Sequence, residues 1–268
     1  MPYFNTSDNC KLYYKTYDFD TSKPTFTFLN GTTQTAVYWE AHRKVFIDRF
    51  RLLMYDARAQ GKSDLGKKEL SLQSHVTNLA ELFDHLAVGK SHLVGLSHGA
   101  QVALAFSAQI PERVNRLVLC SLGARLSDHS IAIVQSWIET LKKSGLEAMV
   151  REALPMVFGE KYLTQNKGIL SMIVKAIVAR NRPAALIAHL EALTRYPPPL
   201  LLTKKIASPI LVISGSDDPL VSKESAAEIA EAVNGHHREV PGSGHTVPAE
   251  APQAFNDLVL DFLLNASI

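Results

Sequence analysis

Gly95-Leu96-Ser97-His98-Gly99 follows the apolar run Leu93-Val94 and precedes a small-residue helical pattern, Ala100-Gln101-Val102-Ala103-Leu104-Ala105. A serine framed this way at a strand-to-helix junction is the G-x-S-x-G nucleophile elbow in its required context. The tight turn lifts the hydroxyl clear of the backbone. Gly95 and Gly99 leave room where a Cβ would clash with that turn or with the neighbouring strand and helix. The helix behind Ser97 aims free N–H groups and a positive dipole end at it, where they favour developing negative charge. Such a serine can attack a carbonyl. The plainer reading is a glycine-rich turn that happens to expose a serine.

A serine hydroxyl needs a base to take its proton, and the base needs an acid to fix its tautomer and stabilise the imidazolium. Histidine titrates near neutrality and suits the first task. Two loops downstream carry the needed types: Gly215-Ser216-Asp217-Asp218-Pro219 and Gly242-Ser243-Gly244-His245. Asp217 competes with Asp218, and Asp128 is a more distant third. Among the ten histidines, His92, His236 and His237 fit surface or strand positions. His42, His75, His85, His129 and His189 lie on helices or loops with no partner motif.

These loops need strands that end on one side of a sheet. Lys11–Tyr17 alternates like an edge strand, and Thr25–Leu29 is a short buried one that ends at Asn30-Gly31. A short helix is expected around Tyr38-Trp39, then a strand over Phe50–Tyr55 and a helix over Ser71–Leu86. After the elbow helix, Arg116–Cys120 is a further buried strand. The rhythm then changes: Leu126 to Thr203 shows only helical spacing, over 131–141, 146–157, 169–178 and from Pro183 to Leu193. Strands return at Pro209–Ile213 and Arg238–Val240, with helices over 222–233 and 251–264. Strands alternating with helices imply an α/β fold, a mostly parallel doubly wound sheet. The helical block is expected to form a cap over the strand C-terminal ends, where open α/β sheets bind ligands. The expected division is a core of residues 1–125 and 204–268 and a cap of 126–203.

Taken together, the chain resembles the α/β-hydrolase superfamily, in its capped esterase, lactonase and haloperoxidase-like branch. The Gly215 to Asp218 loop is similar to the family's acid motif, and Gly242 to His245 to its base motif. Asp56-Ala57-Arg58-Ala59-Gln60-Gly61-Lys62-Ser63 resembles a family signature whose role is structural. The resemblance implies a Ser97, Asp218, His245 triad in the chain order of such enzymes. It implies an oxyanion hole from the backbone N–H groups of His98 and Thr32. Here the sequence departs from the pattern, because Asn30 stands where the family has histidine, which leaves the backbone donor but frees Asn30 to contact substrate.

The expected reaction is acyl transfer from a carboxylic ester through an acyl-enzyme, with lactone hydrolysis and acyl transfer to another acceptor as alternatives. A ligand-binding protein on the same fold is the remote one. The apolar residues Trp137, Met149, Met156, Phe158, Met172 and Ile173 suggest a pocket for short-to-medium acyl groups, although each could simply pack the cap. Tyr38 and Trp39 are candidates for its entrance, and the His98 side chain for a substrate contact. Of these, Asn30, Tyr38, Trp39, Trp137, Met156 and Phe158 are the expected substrate-binding residues.

Composition bounds the rest. The 268 residues, 46% hydrophobic, suffice for a core on both faces of a sheet. A net charge of +2, from 28 basic and 26 acidic residues, argues against an electrostatic nucleic-acid or membrane-surface binder. Two cysteines outside any C-x-x-C pair, and no signal-like start, point to a cytoplasmic protein. A monomer or homodimer acting on a small ester is expected. Gly61-Lys62-Ser63 ends like a phosphate-binding loop, but Asp56 stands where its first glycine is required. No His-Glu-x-x-His and no spaced ligand cluster argues for a metal, and no cofactor is expected.

Overall fold

The computed structural model describes residues 2–265. Its strands are β1 (Tyr3–Asn5), β2 (Lys11–Tyr17), β3 (Thr25–Leu29), β4 (Arg51–Tyr55), β5 (Ser91–Leu96), β6 (Val114–Cys120), β7 (Ile210–Gly215) and β8 (His236–Val240). They form one sheet in the order β1-β2-β4-β3-β5-β6-β7-β8. From β4 to β8 every neighbouring pair is parallel, while β1 and β2 are antiparallel additions at one edge. This is the α/β-hydrolase architecture, with helices on both faces.

The helices are α1 (Arg43–Phe46), α2 (Leu72–His85), α3 (His98–Gln109), α4 (Asp128–Ser144), α5 (Leu146–Val157) and α6 (Glu160–Gln165). They continue with α7 (Leu170–Arg180), α8 (Pro183–Leu193), α9 (Lys223–Ala232), α10 (Val247–Glu250) and α11 (Pro252–Leu264). On β5, Leu93 packs into one core with α2, α3 and α9, while Val94 and Leu96 pack into another with Trp39, α1 and α11. Alternate residues serve opposite faces of a pleated strand, so a strand covered on both sides is apolar throughout. The Ser71, Ser127 and Ser222 hydroxyls cap α2, α4 and α9 by accepting an N–H three residues on. Pro183 opens α8, where its missing N–H costs nothing.

Helices α4 to α8 all lie between β6 and β7 and share a core built around Trp137, Met149, Val174 and Leu190. A 3-10 turn, Pro199–Lys205, carries the chain back to the sheet. The structure adds β1, α1, α6 and α10 to the elements legible in the sequence. Each spans three to six residues, too short for a periodic signal. Among the described residues no helix is long and apolar enough to cross a membrane.

The elbow glycines are spatial necessities. A Cβ on Gly95 would stand 2.4 Å from the Ala100 nitrogen, and one on Gly99 2.3 Å from the Leu29 carbonyl oxygen. Both obstacles are backbone, so neither can swing aside. Gly99→Ala is therefore expected to cost at least about 2 kcal/mol through overpacking. Urea denaturation reads this directly, and a midpoint equal to that of the unsubstituted protein would contradict the account.

Candidate active site

Ser97 sits between the last residue of β5 and the first of α3, with φ 53° and ψ −114°. That left-handed backbone is costly for a residue with a Cβ, on the order of 1–3 kcal/mol. Two bonds hold it: the Ser97 N–H donates to the Cys120 carbonyl at 2.8 Å, and its own carbonyl accepts the Gln101 N–H at 3.0 Å. The result is a half-buried serine among buried neighbours.

The loop after β8 delivers His245, and the loop after β7 delivers Asp218. His245 Nδ1 lies 2.8 Å from Asp218 Oδ2, with the Asp218 side chain fully buried. Asp218 Oδ1 accepts the Leu220 and Val221 N–H groups at 2.8 and 3.1 Å. The carboxylate is thus locked by its own turn and presents its remaining oxygen to the imidazole. Asp217 is exposed and accepts the Ser216 hydroxyl at 2.7 Å. Asp128 is exposed in the first turn of α4.

Ser97, His98, Thr32 and His245 all border one cavity of about 370 Å³, walled mainly by apolar side chains of α4, α5 and α7. The His98 N–H belongs to the first turn of α3, whose amides have no acceptor within the helix. Thr32 lies inside a turn closed by the Gln34 N–H on the Gly31 carbonyl at 3.2 Å. A backbone N–H in the middle of such a turn is left free.

Tyr38, Trp137 and Phe158 border the cavity as expected of substrate-contacting residues. Four other expectations need correction, the first being Met172, which is exposed and absent from the cavity wall. Trp39 is wholly buried in the core. Its indole N–H donates to Asn30 Oδ1 at 3.0 Å, and Asn30 Nδ2 donates to the Tyr55 carbonyl at 2.7 Å. Both polar ends of Asn30 are therefore occupied and the residue is buried, so it orients the loop and does not reach the cavity. Met156 faces the core of the helical segment and is likewise absent from the cavity wall.

The Asp56–Ser63 stretch supports this loop from behind. The Asp56 carboxylate accepts N–H bonds from Ala36 at 2.6 Å and Lys62 at 2.8 Å, while burial pushes its carboxyl upward. Gln60 Nε2 donates to the Gly31 carbonyl at 2.9 Å. Arg58 is buried and donates to Asn78 and Asp8 at 2.8 and 2.6 Å. Its hydrogen bond draws the Asp8 carboxyl down to about 2.

Two further features escaped the sequence. The first is Glu250 at the end of α10. Its Oε2 accepts both the Gly159 N–H, just past α5, and the Gly244 N–H, just before His245, each at 2.8 Å. Its Oε1 accepts the Thr246 N–H at 3.0 Å. The i,i+4 pair Thr246 and Glu250 beside His245 is the signal that could have found it. The second is a cluster that no spacing in the sequence announces: His75, His98 and His189 meet in the interior, behind the Thr32 turn.

Comparison with known proteins places these features in context. A family model described as "Alpha/beta hydrolase family" matches residues 28–258. The chain is 23% identical over 267 residues to 3-oxoadipate enol-lactonase 2 of Acinetobacter baylyi, covering 97% of each. It is 25% identical over 236 residues to a Caulobacter sp. protein provisionally named carbamate hydrolase RutD, covering 87% of this chain and 88% of the other. The crystal structure of the enol-lactonase from Burkholderia xenovorans LB400 superposes with a TM-score of 0.90 at 24% identity, over 98% of this chain and 100% of that one.

Proposed function

Because this chain belongs to the α/β-hydrolase family, whose model spans most of it, we propose that it is a serine hydrolase of carboxylic esters with short-to-medium acyl chains, working through an acyl-enzyme. One observation carries this reading. The buried Asp218–His245 couple and the strained Ser97 belong to loops that open on one apolar cavity. In the first half-reaction His245 takes the Ser97 proton as Oγ attacks the ester carbonyl. The N–H groups of Thr32 and His98 hold the oxyanion, and His245 then protonates the leaving alcohol. In the second half the same imidazole activates water against the acyl-enzyme, and Ser97 leaves with its proton restored. Helices α4 to α8 act as the cap over the site and set the acyl group that fits. Two free buried thiols, Cys10 and Cys120, suit a reducing cytoplasmic setting.

A second reading keeps the machinery and changes the substrate to a cyclic ester. The relative named as an enol-lactonase, aligned along nearly the whole chain, favours it. The test has two parts. A fluorophosphonate should label Ser97 stoichiometrically, and peptide mapping should find the adduct there. A panel of linear esters, lactones, carbamates and acyl thioesters then identifies the substrate. Labelling elsewhere, or no turnover of any linear ester alongside rapid turnover of another class, would sink the ester assignment.

A further inference from the structure

We propose that His75, His98 and His189 form a buried site for a divalent cation of the zinc class, behind the Thr32 turn and distinct from the Ser97, Asp218 and His245 side chains. The three residues come from α2, the first position of α3, and α8. One ligand nitrogen from each lies within 4.8 Å of the other two. A point within about 2.8 Å of all three therefore exists. Side-chain shifts under about 1 Å bring it to the ~2.0–2.1 Å of a zinc–imidazole bond. The rings meet edge to face, with centroids 4.4 Å apart for His98–His189 and 4.7 Å for His75–His98.

The hydrogen-bond pattern is that of ligands missing their common partner. His75 Nε2, both His98 nitrogens and His189 Nδ1 are buried with no hydrogen bond to any described residue. A buried nitrogen without a partner is costly, and three rings that each bring one close together call for an ion or water at their centre. One ring already has an outer partner. His189 Nε2 lies 3.1 Å from the Thr32 hydroxyl. An outer oxygen on one nitrogen fixes the tautomer and leaves the other nitrogen to bind metal. Tyr196 stands 6.0 and 6.5 Å from the His98 and His75 rings, and its buried hydroxyl is also unpartnered. It offers an oxygen to the fourth position, or to a water bound there. Neutral imidazoles with an oxygen are donors that zinc-class cations favour.

An ion there would pin α8 of the helical segment to α2 and to the helix behind Ser97. The site needs no substrate to detect. The full-length protein, stripped with a chelating resin, is titrated with Co²⁺ as a spectroscopic probe and with Zn²⁺ against a chromophoric chelator. One equivalent of Co²⁺ should bind and give visible d–d bands of a four-coordinate site, which Zn²⁺ abolishes. The proton spectrum of the Co²⁺ form should carry strongly shifted, exchangeable imidazole N–H signals, a readout that needs no variant. His75→Gln, folded by circular dichroism, should bind at least about 100-fold more weakly, since even loss of an outer partner costs 10- to 100-fold. Binding should be unchanged in His237→Ala, which alters the half-buried histidine pair on β8. Absence of stoichiometric binding, or binding lost in His237→Ala and kept in His75→Gln, overturns the proposal and leaves buried water as the occupant.

Discussion

Ser97→Ala is expected to lower turnover by about 10⁴-fold or more while leaving thermal stability within about 0.5 kcal/mol of the unsubstituted protein. Both halves follow from the local structure. The serine hydroxyl makes no hydrogen bond to a described residue, whereas its backbone N–H and carbonyl do. The substitution keeps those bonds and the Cβ, so the cost of φ 53° is the same for both side chains. What disappears is the hydroxyl proposed to attack. Binding and oxyanion stabilisation persist without it, so residual activity above the uncatalysed rate is expected. Steady-state kinetics on the best ester of the panel, beside a thermal melt, checks both halves. Hydrolysis at the original rate would remove Ser97 from the chemistry.

Asp218→Asn should lower turnover by roughly 10³- to 10⁴-fold, and Asp217→Asn by no more than about twofold. The two acids are neighbours in sequence but not in environment. Asp218 is buried, holds the His245 nitrogen at 2.8 Å and is anchored by two backbone N–H groups. Asp217 points to solvent and bonds the adjacent serine. An amide at 218 can present its N–H to the imidazole, favouring the wrong tautomer and offering no charge to the imidazolium. Kinetics of the paired variants, with the melting temperature as a control, separates them. Equal losses at both positions would mean that the loop, not the carboxylate, matters.

Much of this could be read from the chain before any coordinates. The elbow, the acid loop and the base loop are contiguous motifs, and buried parallel strands announce themselves as apolar runs. Helices α5 and α8 begin and end at the expected residues because Gly145 and Pro183 punctuate them. What stayed hidden depends on partners far apart in sequence. Asn30 looked free to meet substrate because nothing local reveals that Trp39 and Tyr55 consume its two polar ends. Trp39 and Met156 have the right chemistry for a pocket wall but point into cores. His75 and His189 belong to helices that touch only once the sheet is wound. A side-chain direction within an amphipathic segment is settled by packing, and packing is not a local property.

The carboxylate of Glu250 grips Gly159, next to Phe158 of the cavity wall, and Gly244, next to the imidazole, with a single oxygen. An oversized guest that shoved Phe158 outward would drag the proton carrier off its mark as well. In the proposed mechanism admission and reactivity are thereby geared to one cog, and a poor fit should be punished in the bond-breaking step and not merely in how tightly the guest is held.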